Sequence, residues 1–117
     1  MKKIILGSFL FLAASIFSGC ASTTDDSAII LFYSNECSHC KIVEKYIADN
    51  NIKDKISFSQ REVGSDSANA NLMVDKQKSC NWEKEKNGKV PFLWTDGKCY
   101  LGQDEIIQFF KDKINVQ

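Results

Sequence analysis

Two thiols separated by two residues, Cys37-Ser38-His39-Cys40, are the part of this 117-residue chain best suited to chemistry. A cysteine reacts as its thiolate, so what matters is whether the surroundings favour a sulfur anion. The apolar run Ile29-Ile30-Leu31-Phe32-Tyr33 precedes the motif and reads as a buried strand. Lys41 to Ile47 follows it and reads as a helix whose face carries Ile42, Val43, Tyr46 and Ile47. The first thiol therefore falls at a helix N-terminus, where unpaired N–H groups and the helix dipole favour negative charge. Cys40 lies about one turn further on, close enough to bond to Cys37. The spacing points to a redox dithiol, with Cys37 as the exposed nucleophile and Cys40 as the more buried resolving thiol. His39 is the only histidine in the chain. Protonated, it would stabilise a Cys37 thiolate, an effect that the neighbouring Glu36 opposes by like-charge repulsion.

The elements needed to hold this motif follow from the pattern around it. A strand is predicted over 28–33 and a helix over 38–49, ended by Asn50-Asn51. A second strand is expected over 55–63, with Ile56 and Phe58 on one side. Gly64-Ser65 marks a turn, with Ser65 or Asp66 able to cap a helix over 67–79 whose inner face reads as Ala68, Leu72, Met73 and Lys76. Residues 81–89 are charged and close on the turn signal Asn87-Gly88. Val90 to Trp94 and Lys98 to Leu101 read as a hairpin about Asp96-Gly97. A last helix starts at Gln103 or Asp104, with Ile106, Ile107, Phe109 and Phe110 on its apolar side. The order is β-α-β-α-β-β-α.

The N-terminal end has another character. Met1-Lys2-Lys3 is a short basic stretch, and Ile4 to Phe17 is mostly apolar. That run is too short for a spanning helix, which needs about 20 residues, but it suits the core of a secretory signal. Phe17-Ser18-Gly19-Cys20 resembles the lipobox of bacterial lipoproteins, with Phe17 in place of the usual Leu. The resemblance implies a signal peptide over 1–19, a lipidated Cys20, and a polar tether to residue 27 ahead of a domain over 28–117. It also implies an extracytoplasmic location on a bacterial membrane facing the periplasm. Ala21, where an Asp would mark inner-membrane retention, favours the outer membrane. The chain holds 15 basic and 15 acidic residues. Lys2 and Lys3 are two of the basic ones and no acid precedes Cys20, so a chain starting there has a net charge of −2. No basic run stands out, which argues against nucleic acid as a partner.

Strand order and motif position together resemble the thioredoxin fold in its compact, glutaredoxin-like form: three α/β/α layers around a mixed four-stranded sheet, over nearly all of residues 28–117. Pro91, the only proline, supports the resemblance. In that superfamily a cis-proline opens the third strand and faces the Cys-x-x-Cys. The resemblance thus implies a cis bond at Val90-Pro91, with the Val90 backbone and Ser38 beside an incoming extended substrate. Cys-x-His-Cys is similar to the disulfide-forming oxidases and isomerases, although Ser38 replaces the proline common in the oxidases. The glutathione-binding stretch of glutaredoxins is only partly kept in Leu101-Gly102-Gln103-Asp104-Glu105 and is not carried over.

Cys80 and Cys99 leave three readings open: a structural disulfide, two free buried thiols, or an auxiliary redox pair that relays electrons to Cys37 and Cys40. The sequence points to a monomeric, membrane-anchored thiol–disulfide oxidoreductase. It would need no cofactor beyond its dithiol, and it would act on cysteine-containing exported proteins or a partner redox protein. A rival has Cys37, His39 and Cys40 holding copper(I) or zinc, as a metallochaperone would. A structural zinc would further enlist Cys80 and Cys99. A third reading makes Cys37–Cys40 an inert structural bridge.

Overall fold

The computed structural model describes residues 28–116; the expected signal peptide, Cys20 and the tether lie outside them. Strand β1 (Ile29–Tyr33) sits inside a four-stranded sheet of order β2-β1-β3-β4. It pairs in parallel with β2 (Ser59–Glu62) and antiparallel with β3 (Phe92–Thr95). β3 in turn pairs antiparallel with β4 (Lys98–Leu101), with Asp96 and Gly97 at positive φ in the turn between them. Positive φ at both central residues is what a tight two-residue hairpin turn asks for.

Alternation along β1 divides the core in two. Ile29 and Leu31 point into a cluster with Val43 and Ile47 of α1 (Ser38–Asp49) and Ile106 and Phe110 of the last helix. Ile30 and Phe32 point the other way, toward Phe92 and toward Met73 of the helix Ser67–Lys78. Helices on both faces of one mixed sheet make the three layers expected. A parallel β1–β2 pair needs a crossover, and α1 supplies it.

The second strand departs from expectation. Residues Ile52–Lys55 form a short helix, α2, and β2 begins only at Ser59. The chain reverses at Asn51, which is left-handed at φ 50°. Ile52 and Ile56, four residues apart, then both anchor in the core. Phe58 packs its ring against Phe110, 5.1 Å between centroids, from outside the strand. Apolar residues at 56 and 58 imitate the strand period, but tertiary packing uses them otherwise. The next helix, α3 (Ser67–Lys78), is capped by the Asp66 carboxylate, which accepts from Asn69 N–H at 3.0 Å. Its inward face is Met73 and Gln77; Ala68 is exposed, and Lys76 lies over the Trp94 ring, 3.8 Å from its centroid. A 3₁₀ turn over Lys84–Lys86 breaks the charged stretch. α4 (Gln103–Asn115) closes the fold, with Ile106 and Phe110 buried and Ile107 and Phe109 half-buried.

Candidate active site

Cys37 is the N-cap of α1, in extended backbone just before the first helical residue. Its Sγ accepts the Cys40 N–H at 3.1 Å. Caps are usually oxygen acceptors; here a sulfur takes that place, at the positive end of the helix. The turn before it is fixed by Cys37 N–H donating to the Ser34 carbonyl at 3.1 Å. From the other side, Cys37 Sγ lies 3.8 Å from the Val90 carbonyl oxygen, to which a thiol hydrogen can donate. The Val90–Pro91 peptide is cis and Pro91 is buried, directly after the Val90 carbonyl that faces Cys37.

Cys40 is 1% exposed, on the inner face of α1. Burial pushes its thiol up to about 12; the hydrogen bond with Cys37, the charge of Cys37 and that of Glu44 act the same way, and the Ser34 backbone opposes them. Cys40 is therefore a neutral thiol at neutral pH. Both thiols are free. One is half-exposed and backed by a helix N-terminus; the other is buried and protonated behind it. A visiting disulfide can reach the first, and the second can reach only the first.

The loop ahead of Cys37 has a support the sequence did not announce. Glu62, at the end of β2, accepts from Gly64 N–H, Ser65 N–H and the Ser65 hydroxyl at 2.7–2.9 Å. Bonds from the Ser65 backbone, the Ser65 hydroxyl and the Gly64 and Asn35 backbones hold its carboxyl below the ordinary range. Gly64 packs so closely here that a Cβ would stand 2.7 Å from Glu62 Oε1 and 2.9 Å from Ser34 Oγ.

His39 is exposed, and its Nδ1 is hydrogen-bonded to Gln103 Oε1 of α4 at 2.7 Å. A groove beside Pro91 is lined by His39, Val90, Leu101, Gly102 and Gln103. Ser38 opens α1 and is exposed. Leu101 N–H donates to the Glu105 carboxylate at 2.8 Å, and Gly102 N–H to the Pro91 carbonyl at 2.9 Å, so the start of α4 is tied to the start of β3. In the sequence Gln103 is legible as a helix start and as part of the stretch that partly matches the glutaredoxin glutathione site; nothing in its spacing announces the contact with His39.

Cys80 and Cys99 form a disulfide, with Cα atoms 5.8 Å apart, joining the end of α3 to β4. Of the three readings for this pair, two free thiols is therefore wrong. Their sulfurs are committed to each other, which removes the ligands a four-cysteine zinc site would need. Among the described residues no three His, Cys, Asp or Glu side chains are grouped to hold a metal ion.

This geometry can be set beside known proteins. No family model and no curated protein sequence matches the chain. Solved structures do. A wheat glutaredoxin aligns with TM-score 0.50 at 19% identity, over 78% of this chain and 77% of its own. A mutant form of the thioredoxin-like protein BC3987 aligns with TM-score 0.48 at 23% identity, over 71% of this chain and 97% of its own. Holo glutaredoxin C1 from Populus tremula x tremuloides aligns with TM-score 0.49 at 18% identity, over 77% of this chain and 80% of its own. The mixed four-stranded sheet with helices on both faces, together with the likeness to the wheat glutaredoxin, gives the chain a thioredoxin-like α/β fold. In this fold Cys37 and Cys40 stand as two free thiols at the start of the first helix.

Proposed function

We propose that the protein is a thiol–disulfide oxidoreductase that exchanges disulfides with cysteine-containing polypeptides through Cys37 and Cys40. One observation carries this reading: Cys37 Sγ is held by the Cys40 amide at the tip of α1, 3.8 Å from the Val90 carbonyl beside Pro91, with a buried thiol behind it.

In the reducing direction the Cys37 thiolate attacks one sulfur of a substrate disulfide. A Cys37–substrate disulfide forms, and the other substrate sulfur leaves as a thiolate and takes up a proton. The Val90 backbone is placed to pair with the extended substrate chain. Cys40 then gives up its proton and attacks Cys37 Sγ. The second substrate sulfur departs, and two electrons have passed from the protein dithiol to the substrate. Oxidation of a substrate dithiol is the same path reversed. His39, hydrogen-bonded to Gln103, lines the groove beside Pro91 where the substrate chain would lie.

The location follows the N-terminal reading. A lipid on Cys20 would tether the domain to a membrane outside the cytosol, where disulfides persist and substrates are exported proteins. Among the described residues no helix is long and apolar enough to cross a membrane. The domain would act as a monomer.

The test is exchange with a disulfide-bonded peptide under metal-free conditions. Turnover by the full chain, lost in Cys37→Ser and unchanged by chelator, is expected. Stoichiometric metal with no exchange would replace this reading with the metal-carrier one.

A further inference from the structure

Gln77 is a polar side chain buried in the core, 2% exposed, on the sheet face opposite Cys37 and Cys40. Core positions rarely hold an amide unless it is hydrogen-bonded. Its Oε1 accepts from Gly88 N–H at 2.8 Å, and its Nε2 donates to the Lys89 carbonyl at 3.4 Å. Those residues immediately precede Val90, whose carbonyl faces Cys37 Sγ. The turn's own main-chain bonds, Lys86 N–H to Glu83 C=O and Asn87 N–H to Lys84 C=O, stop short of residue 88. Gly88 is left-handed at φ 79°, so the chain turns sharply at the point Gln77 grips. Further out, Trp82 packs edge-on against Phe92 and donates Nε1–H to Asn87 Oδ1 at 2.8 Å, and the Cys80–Cys99 disulfide closes the base of the loop.

We propose that Gln77 is a positioning residue for the substrate-binding edge: through two hydrogen bonds to Gly88 and Lys89 it sets where Val90 and Pro91 stand relative to Cys37. Resting on the exchange reading above, it adds a residue on the other face of the sheet from the reacting sulfurs. The closer contact of Cys37 Sγ is the Cys40 amide of α1 at 3.1 Å, which Gln77 does not touch, whereas the Val90 carbonyl lies 3.8 Å away. Loss of the clamp therefore loosens the substrate edge far more than it alters the thiol's own reactivity. A merely structural glutamine would lower stability and move neither quantity selectively.

Gln77→Met keeps the volume and removes both hydrogen bonds. In the full chain, KM for a disulfide-bonded peptide is expected to rise about fivefold or more. kcat and the rate of Cys37 alkylation by iodoacetamide should stay within about twofold of wild type. The Gly88 amide provides a check that needs no variant. In the wild-type protein it should exchange with solvent slowly, and in Gln77→Met fast. An unchanged KM in a folded Gln77→Met protein, or a wild-type Gly88 amide that exchanges as freely as an exposed one, overturns the proposal. A wild-type protein without any exchange activity would instead bring down the functional reading on which it rests.

Discussion

At the scale of single residues the two thiols differ because their surroundings differ. Cys37 is half-exposed at a helix N-terminus, while Cys40 is sealed beneath it. Substituting them should therefore give opposite phenotypes. Cys40→Ser keeps the attacking sulfur but removes the resolving one, so incubation with a disulfide-bonded peptide is expected to leave a stable mixed disulfide at Cys37, visible as one peptide's added mass. Cys37→Ser should trap nothing at Cys40, because Cys40 cannot meet a visiting peptide. Trapping at Cys40 in Cys37→Ser instead would invert the assigned roles. Titration gives a second check. The ordinary value for a thiol here is 9.0, and burial carries Cys40 up to about 12. A group raised on folding stabilises the fold fully below its unfolded value and loses that contribution as pH climbs toward its folded one. The reduced protein should thus lose stability between about pH 9 and pH 12, at up to about 1.4 kcal/mol per pH unit. Cys40→Ala should flatten that slope in urea melts followed by circular dichroism. An equally steep decline in Cys40→Ala would assign the effect elsewhere.

At the scale of elements, the pieces that carry the site were the most legible. β1, the start of α1 at Ser38, the Asp96-Gly97 hairpin and the Gln103 helix start all follow from local signals: an apolar run, a capping position, a turn dipeptide. Misreadings arose where distant contacts decide. Ile56 and Phe58 look like strand residues, yet one closes α2 and the other stacks on Phe110 of the last helix. α3 shows a weak apolar stripe because one of its two buried positions is the polar Gln77, which no periodicity would pick out. The approach of Ser34 to Gly64 and Glu62 has no local signal for the same reason, since Ser34 lies some thirty residues earlier in the chain. The cap on α3 allows a direct test. Asp66→Ala removes the acceptor for Asn69 N–H and should cost about 1 kcal/mol of stability, read from the urea midpoint. Because α3 carries Gln77, the same variant should weaken peptide binding more than it slows alkylation of Cys37. No loss of stability would show that the cap contributes nothing to holding the helix.

At the scale of the whole molecule, the two faces of the sheet are held by different means. The α1 and α4 side is a continuous apolar cluster. On the α3 side the fully buried residues are fewer, and the Cys80–Cys99 disulfide spans the gap between the helix and β4. A cross-link over a sequence separation of 19 restricts the unfolded chain and is expected to contribute about 3 kcal/mol. Cys80→Ala/Cys99→Ala should lower the unfolding free energy by about that amount while Cys37 and Cys40 still exchange with peptide. Exchange that fails in a folded double variant would recast Cys80 and Cys99 as part of the redox relay. The molecule thus separates a structural disulfide on one face from a reactive dithiol at the other's edge. The most direct measurement of that division is equilibration of the full chain in a series of glutathione redox buffers, followed by alkylation and mass analysis of Cys37, Cys40, Cys80 and Cys99. The account predicts that Cys37 and Cys40 convert together, as one two-electron step from dithiol to internal disulfide, while Cys80–Cys99 stays oxidised across the series. Cys37 and Cys40 remaining as two independent thiols throughout, each pairing with glutathione and never with the other, would contradict it.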